Sequence, residues 1–199
     1  MFSNIPNLFT WLRILLIPVF VAVFYLPDAT LAPQMKNLIS TGVFLLAAAT
    51  DWLDGYLARR LGQYSSFGAF LDPVADKLMV AAALVVLLAD PRIQTQVLDT
   101  RLFTIVALVI LGREIAVSAL REWMAEIGHR SSVAVSVVGK FKTASQMLAT
   151  GFLLWREPLA GLPILRIGEG LLYVAAGLTL WSMLVYLRAA WPTLTRQAP

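Results

Sequence analysis

The sequence contains no cysteine. Disulfides and thiolate metal sites are therefore excluded, and the compartment is left open. It has one histidine, His129, in a polar turn, read as a loop residue without a chemical role. Charge is scarce as well: Asp, Glu, Lys and Arg make up 14% of the 199 residues, against 59% apolar residues and a mean hydropathy of +0.75. A soluble domain carries about 25% charged residues, so this composition indicates a membrane protein. No Pro/Ser-rich linker and no internal repeat divides the chain, and one all-α integral domain over residues 1–199 is expected. The N-terminal "MFSNIPNLFTWLRILLIPVF" has one basic residue before its apolar run and no clear small-residue cleavage site, so a cleaved signal peptide is not expected.

Six apolar runs are present, at about residues 12–26, 38–58, 74–89, 102–120, 133–155 and 170–187. Each is close to the roughly 20 residues that a bilayer-spanning helix needs, and six transmembrane helices are predicted. Ahead of the first run, Pro6, Asn7, Thr10, Trp11 and Arg13 mix polar and aromatic character as an N-terminal interfacial helix does. Pro18 is placed to kink the first span. Six spans put both termini on one side, and the basic residues choose that side. All but Lys36, Arg92, Arg101, Arg156 and Arg166 fall on the side of the termini, which the positive-inside rule assigns to the cytosol. Trp11, Trp123, Trp155 and Trp191 lie near predicted span ends, as interfacial anchors do.

Against this apolar background, "TDWLDGYLARRLGQYSSFGAFLDPVADKLM" carries Asp51, Asp54, Asp72 and Asp76. The members of each pair are three or four residues apart, so each pair shares one face of a helix. A connection over residues 60–71 makes the two helices antiparallel neighbours, with Asp51 toward the cytosolic end of the second span and Asp72 and Asp76 opening the third at that same end. A carboxylate at mid-bilayer costs about 2.5–3.5 kcal/mol, so four cost about 10 kcal/mol unless neutralised. Interfacial water reduces that cost without explaining why like charges cluster. Hard divalent cations held by oxygen ligands explain both, and acids without His or Cys suit Mg²⁺ or Mn²⁺. A solvated vestibule or the cation path of a transporter is the competing explanation.

The neighbouring residues favour chemistry. Gly55 would let a bulky group approach the backbone beside Asp54, although small residues also serve helix packing. Arg59, one turn beyond, is either a planar donor fork for phosphate or a positive-inside anchor. Two cations held a few ångströms apart can clamp the attacking and leaving oxygens of an in-line displacement, so the combination describes a diphosphate site.

Read as Asp51-x-x-Asp54-Gly55-x-x-Ala58-Arg59, eight residues, then Gly68-x-x-x-Asp72-x-x-x-Asp76, the segment resembles the signature of the CDP-alcohol phosphotransferases, with every fixed position filled. That resemblance implies a six-helix membrane fold, often dimeric, that moves a phosphatidyl or similar group from a CDP-linked donor to an alcohol and releases CMP. It further implies that Asp51, Asp54, Asp72 and Asp76 bind two metal ions and that Asp76 also serves as general base. Gly55, Arg59 and Gly68 would line the cytidine diphosphate pocket. Asn7, Thr10 and Arg13 match a less defined family pattern near the nucleotide.

A second basic cluster bears on the acceptor. Arg113 and Arg121 in "LGREIAVSALREWMAE", with Lys140 and Lys142 in "GKFKTASQ", lie at or near the cytosolic half of their spans. They either hold a phosphate on the incoming alcohol or set orientation, and Glu114 and Glu122 are placed to neutralise part of them. These segments and the N-terminal stretch resemble the bacterial phosphatidylglycerophosphate synthases over essentially the whole chain, most weakly at about residues 156–170 and at the C-terminus. The resemblance implies that the sn-1 hydroxyl of glycerol 3-phosphate attacks CDP-diacylglycerol, in the bacterial cytoplasmic (inner) membrane, in a homodimer, with the site facing the cytosol and no nucleic-acid partner. A sister transferase using inositol phosphate or serine, a cation transporter and a prenyltransferase are the alternatives. The Gly55 and Arg59 spacing gives a transporter no advantage, and a prenyltransferase is expected to hold its acids in more compact clusters.

Overall fold

A computed structural model describes residues 5–61, 66–127 and 137–195. Within its helices the side chains of residues 5–7, 52, 54–59, 61, 66–70, 72–73, 137–140 and 192–194 lie outside the description. The described chain is helical: α1 (Ile5–Tyr25), α2 (Pro33–Leu61), α3 (Ser66–Ala89), the one-turn α4 (Pro91–Gln94), α5 (Thr100–Glu126), α6 (Val137–Trp155) and α7 (Ile164–Leu194). Among the described residues three segments, Leu8–Tyr25, Thr100–Glu126 and Ile164–Trp191, are long and apolar enough to cross a bilayer.

The six long helices coincide with the six apolar runs, and their ends differ for local reasons. α1 is one continuous helix from Ile5, so residues 5–13 form its first turns. Pro6 sits in the first turn, where its missing N–H goes unused, and no glycine interrupts the segment that follows. Helix also continues through Pro18. Much of the connection expected over residues 60–71 is helix, because α2 runs to Leu61 and α3 starts at Ser66 and takes Gly68 and Asp72 into its first two turns. Hydropathy marks where a helix becomes apolar, and here the helix begins earlier. α4 has no counterpart among the apolar runs. It forms because Asp90 caps it, accepting from the Arg92 N–H at 2.9 Å, with Pro91 as its first residue. Asp99 caps α5 in the same way, accepting from the N–H groups of Arg101 and Leu102.

The chain divides into two compact units, Met1–Gln96 with Thr150–Gly168, and Val97–Ala149 with Glu169–Pro199. In the first, α1 packs against α2 and α3. Its buried residues include Phe20, Phe44, Leu84, Leu87, Leu153 and Leu154, with Ala47, Ala75 and Ala83 where close helix approach leaves room only for a methyl group. In the second, Val117 and Met124 of α5 cluster with Tyr186 and Ala190 of α7. Ser and Glu side chains tie this unit together as well: Glu169, 1% exposed, accepts from the Leu98 N–H at 2.8 Å and the Tyr173 hydroxyl at 2.7 Å. Large apolar side chains such as Leu15, Leu108, Ile115 and Leu184 are exposed, as expected of helices whose solvent is hydrocarbon.

Candidate active site

In the first unit the site is built from α1, α2 and α3. Thr10 and Arg13, one turn apart on α1, are both buried, and Arg13 is 1% exposed. A guanidinium enclosed to that degree needs an anionic partner. Asp51 of α2 supplies it, with Oδ1 2.9 Å from Arg13 Nη1. The Asp51 side chain keeps 43% of its surface exposed, so the carboxylate is pinned at one edge and open at another. Asp76, on α3, is half-buried and follows the fully buried Ala75.

The side chains of Asp54, Gly55, Arg59, Gly68, Asp72 and Asn7 lie outside the described residues. Their backbone does not: α2 is helical through Asp51 and Asp54, and α3 through Asp72 and Asp76, so both pairs have the helical spacing that puts them on one face. Among the described residues no group of three or more His, Cys, Asp or Glu comes together. Asp51 and Asp76 are each partly accessible, and carboxylate oxygens of this kind suit a hard divalent cation.

In the second unit Arg113 and Lys142 are both buried, and both pair with Glu114. Arg113 Nη1 is 3.4 Å from Glu114 Oε1, and the same oxygen accepts from Lys142 Nζ. Arg113 also donates through Nη2 to Ser182 Oγ at 2.8 Å and lies over the Tyr186 ring, 5.6 Å from its centroid. Two buried cations thus share the Glu114 carboxylate. Arg121 sits two turns further along α5 and is exposed, whereas the Lys140 side chain is outside the described residues. The expected four-member cluster therefore has two buried members held by Glu114 and one solvated member. Ser182 and Tyr186 were not anticipated, because neither motif nor spacing marks a residue that becomes important only when α7 packs on α5.

A motif in α2 and α3, an arginine from α1 on its first aspartate, and a buried cationic pair on α5 and α6 are what the comparisons with known proteins must account for. The family model described as CDP-alcohol phosphatidyltransferase matches residues 3–181. The chain belongs to the CDP-alcohol phosphatidyltransferase family. Among curated CDP-alcohol phosphatidyltransferases, a CDP-diacylglycerol–glycerol-3-phosphate 3-phosphatidyltransferase of Pseudomonas fluorescens is 55% identical over 192 residues, covering 96% of this chain and 92% of the relative. The protein of the same name from Salmonella paratyphi A is 53% identical over 187 residues, 94% of each chain, and that from Shigella flexneri serotype 5b is 52% identical over the same share.

Proposed function

We infer that the chain transfers the phosphatidyl group of CDP-diacylglycerol to glycerol 3-phosphate, giving phosphatidylglycerophosphate and CMP. The observation that carries this reading is the similarity, over nearly the whole chain, to relatives named for that activity. The buried Arg113–Lys142 pair fits it, because an acceptor that bears a phosphate needs cations and a serine acceptor does not.

On this reading Gly55, Arg59 and Gly68 line the pocket for the cytidine diphosphate, with Asn7, Thr10 and Arg13 at its α1 side. Asp51, Asp54, Asp72 and Asp76 hold two divalent cations, Mg²⁺ or Mn²⁺. When bound, these ions neutralise the diphosphate and polarise the phosphorus under attack. Arg13 fixes Asp51 in a single orientation, so the carboxylate is preorganised. Asp76 accepts the proton of the sn-1 hydroxyl, the sn-1 oxygen forms a bond to the lipid-side phosphorus, and the bond from that phosphorus to the CMP oxygen breaks. Arg113 and Lys142, with Arg121 and Lys140, bind the acceptor phosphate. The acceptor is a dianion approaching a diphosphate, so charge neutralisation and positioning contribute more to the rate than proton removal does.

The same reading gives a single domain with six membrane spans, residues ahead of the first span at the interface, both termini and the site on the cytosolic face of a bacterial inner membrane, and a homodimer without a nucleic-acid partner. Purified protein in detergent, supplied with CDP-diacylglycerol, Mg²⁺ and radiolabelled glycerol 3-phosphate, should yield labelled lipid and CMP in equal amounts. CMP release at the same rate with inositol phosphate, serine or no acceptor at all would overturn the assignment.

A further inference from the structure

At the end of α2 remote from Asp51 there is a cavity of about 350 Å³ whose lining includes Asn37, Arg92, Gln96, Arg156, Glu157 and Arg166. Asn37 and Asp51 are 14 residues apart on one continuous helix, about 21 Å along its axis, so this cavity is separate from the aspartate site. Three guanidiniums meet two carboxylates here. Asp90, 3% exposed, is shared: it accepts from Arg92 Nε and Nη2 at 3.3 Å each, and Arg156 Nη2 lies 2.5 Å away. Glu157 accepts from Asn37 Nδ2 at 3.4 Å.

Arg156 is the decisive residue. Its side chain is 5% exposed, its guanidinium carbon lies 5.6 Å from the Phe24 ring centroid, and among the described residues Nε and Nη1 have no hydrogen-bond partner. Burying a charged fork with donors unmet is costly even with Asp90 on Nη2, and an anion entering the cavity would satisfy them. A second cavity, of about 260 Å³, is lined by Met35, Leu38 and Trp155 and shares Asn37 and Glu157 with the first. The Trp155 indole N–H is also buried, without a partner among the described residues. Beside them, the backbones of Leu159 and Leu162 pair across a tight turn whose flanking Pro158 and Pro163 line the first cavity. Both leucines are more than half exposed, as suits a turn set against lipid.

We propose that these adjoining cavities bind an anionic glycerophospholipid, its phosphate held by Arg92, Arg156 and Arg166 and the start of one acyl chain laid along Met35, Leu38 and Trp155. The guanidinium forks serve any phosphate, whether inorganic or lipid-borne. The apolar cavity sharing their walls selects the lipid.

The test is thermal unfolding of the full chain in maltoside micelles, titrated separately with phosphatidylglycerol, phosphatidylcholine and inorganic phosphate. Phosphatidylglycerol should raise the unfolding temperature of the wild-type chain saturably, and the other two should not. Arg166→Glu and Trp155→Phe, each compared with its own lipid-free unfolding temperature, should need about tenfold more phosphatidylglycerol, the loss expected for one charge-assisted or buried hydrogen bond. The proposal is overturned if phosphatidylcholine stabilises equally, if inorganic phosphate alone gives the full shift, or if both variants respond to phosphatidylglycerol as the wild type does.

Discussion

Arg13 Nη1 lies 2.9 Å from Asp51 Oδ1, joining an almost fully buried cation on α1 to a carboxylate on α2 that stays partly open. The asymmetry sets what its loss should cost. Removing one member of a fully buried pair costs about 3–5 kcal/mol, because the other is left charged and dry. With 43% of its side chain exposed, Asp51 can be rehydrated. Arg13→Ala should therefore lower stability by about 1–3 kcal/mol, the range between a surface pair and a buried one. Turnover should fall further, by about 100-fold, because the carboxylate loses its fixed orientation. Thermal unfolding and CMP release measure the two separately, and a variant that loses stability but keeps turnover would show that the pair is only structural.

Asp76→Asn keeps the size of the side chain and removes the proton acceptor. General-base contributions are about 10²–10⁴-fold, so CMP release should drop by at least about 100-fold at saturating CDP-diacylglycerol and Mg²⁺. Near-normal turnover in Asp76→Asn would remove the residue from the proposed role.

Which parts of this site were legible in the sequence follows from the range of the interactions. Asp51, Asp54, Asp72 and Asp76 declare themselves through spacing of three and four residues, and α2 and α3 are helical at both pairs. Arg13 could be placed near the nucleotide only by resemblance. Its contact with Asp51 spans 38 positions and exists because α1 packs on α2, which no local pattern encodes. The same holds for Ser182 and Tyr186 around Arg113 and for Arg156 on Asp90. Hydropathy located all six long helices and misjudged the start of α3, since Ser66 to Leu71 fold as helix before the apolar run begins. Arg156 entered the sequence reading only as one of five basic residues opposite the cytosolic side. Its burial could not have been inferred from a charge count.

Chelation should stop the reaction. An acid-only donor set binds hard cations in preference to soft ones, so EDTA should abolish CMP release and either Mg²⁺ or Mn²⁺ should restore it. Full activity after exhaustive chelation would rule out the proposed role of the four aspartates.

Glu114 holds two buried cations at once, and this makes it more sensitive than either partner. Glu114→Gln would remove the charge that Arg113 and Lys142 share, at a cost of about 3–5 kcal/mol in stability. Arg113→Ala has a different signature. It should raise the half-saturating concentration of glycerol 3-phosphate by about tenfold or more, the value of one charge-assisted hydrogen bond, and leave that of CDP-diacylglycerol unchanged. Steady-state titration of each substrate with the other saturating distinguishes the two; equal effects on both substrates would count against an acceptor role.

The ion pairs at the far end of α2 predict a pH dependence separate from catalysis. Burial raises the Asp90 carboxyl, but the Arg92 N–H, the charge of Arg156 and the side-chain hydrogen bonds from Arg92 and Arg156 outweigh it and leave the group below its ordinary value. The folded state thus holds this proton less tightly than the unfolded chain. The stability from Asp90 is complete above the ordinary carboxylate range, about pH 4, and is lost as the pH falls through the lower folded value. Asp90→Asn lacks that titration and breaks a buried pair, so it should unfold at lower temperature than the wild type near neutral pH, with the gap closing toward pH 3. Unfolding temperatures from pH 7 to pH 3 for the two proteins decide it. Parallel curves over that range would mean that Asp90 does not lose its charge before the rest of the fold does, and the shared carboxylate would then have no part in acid sensitivity.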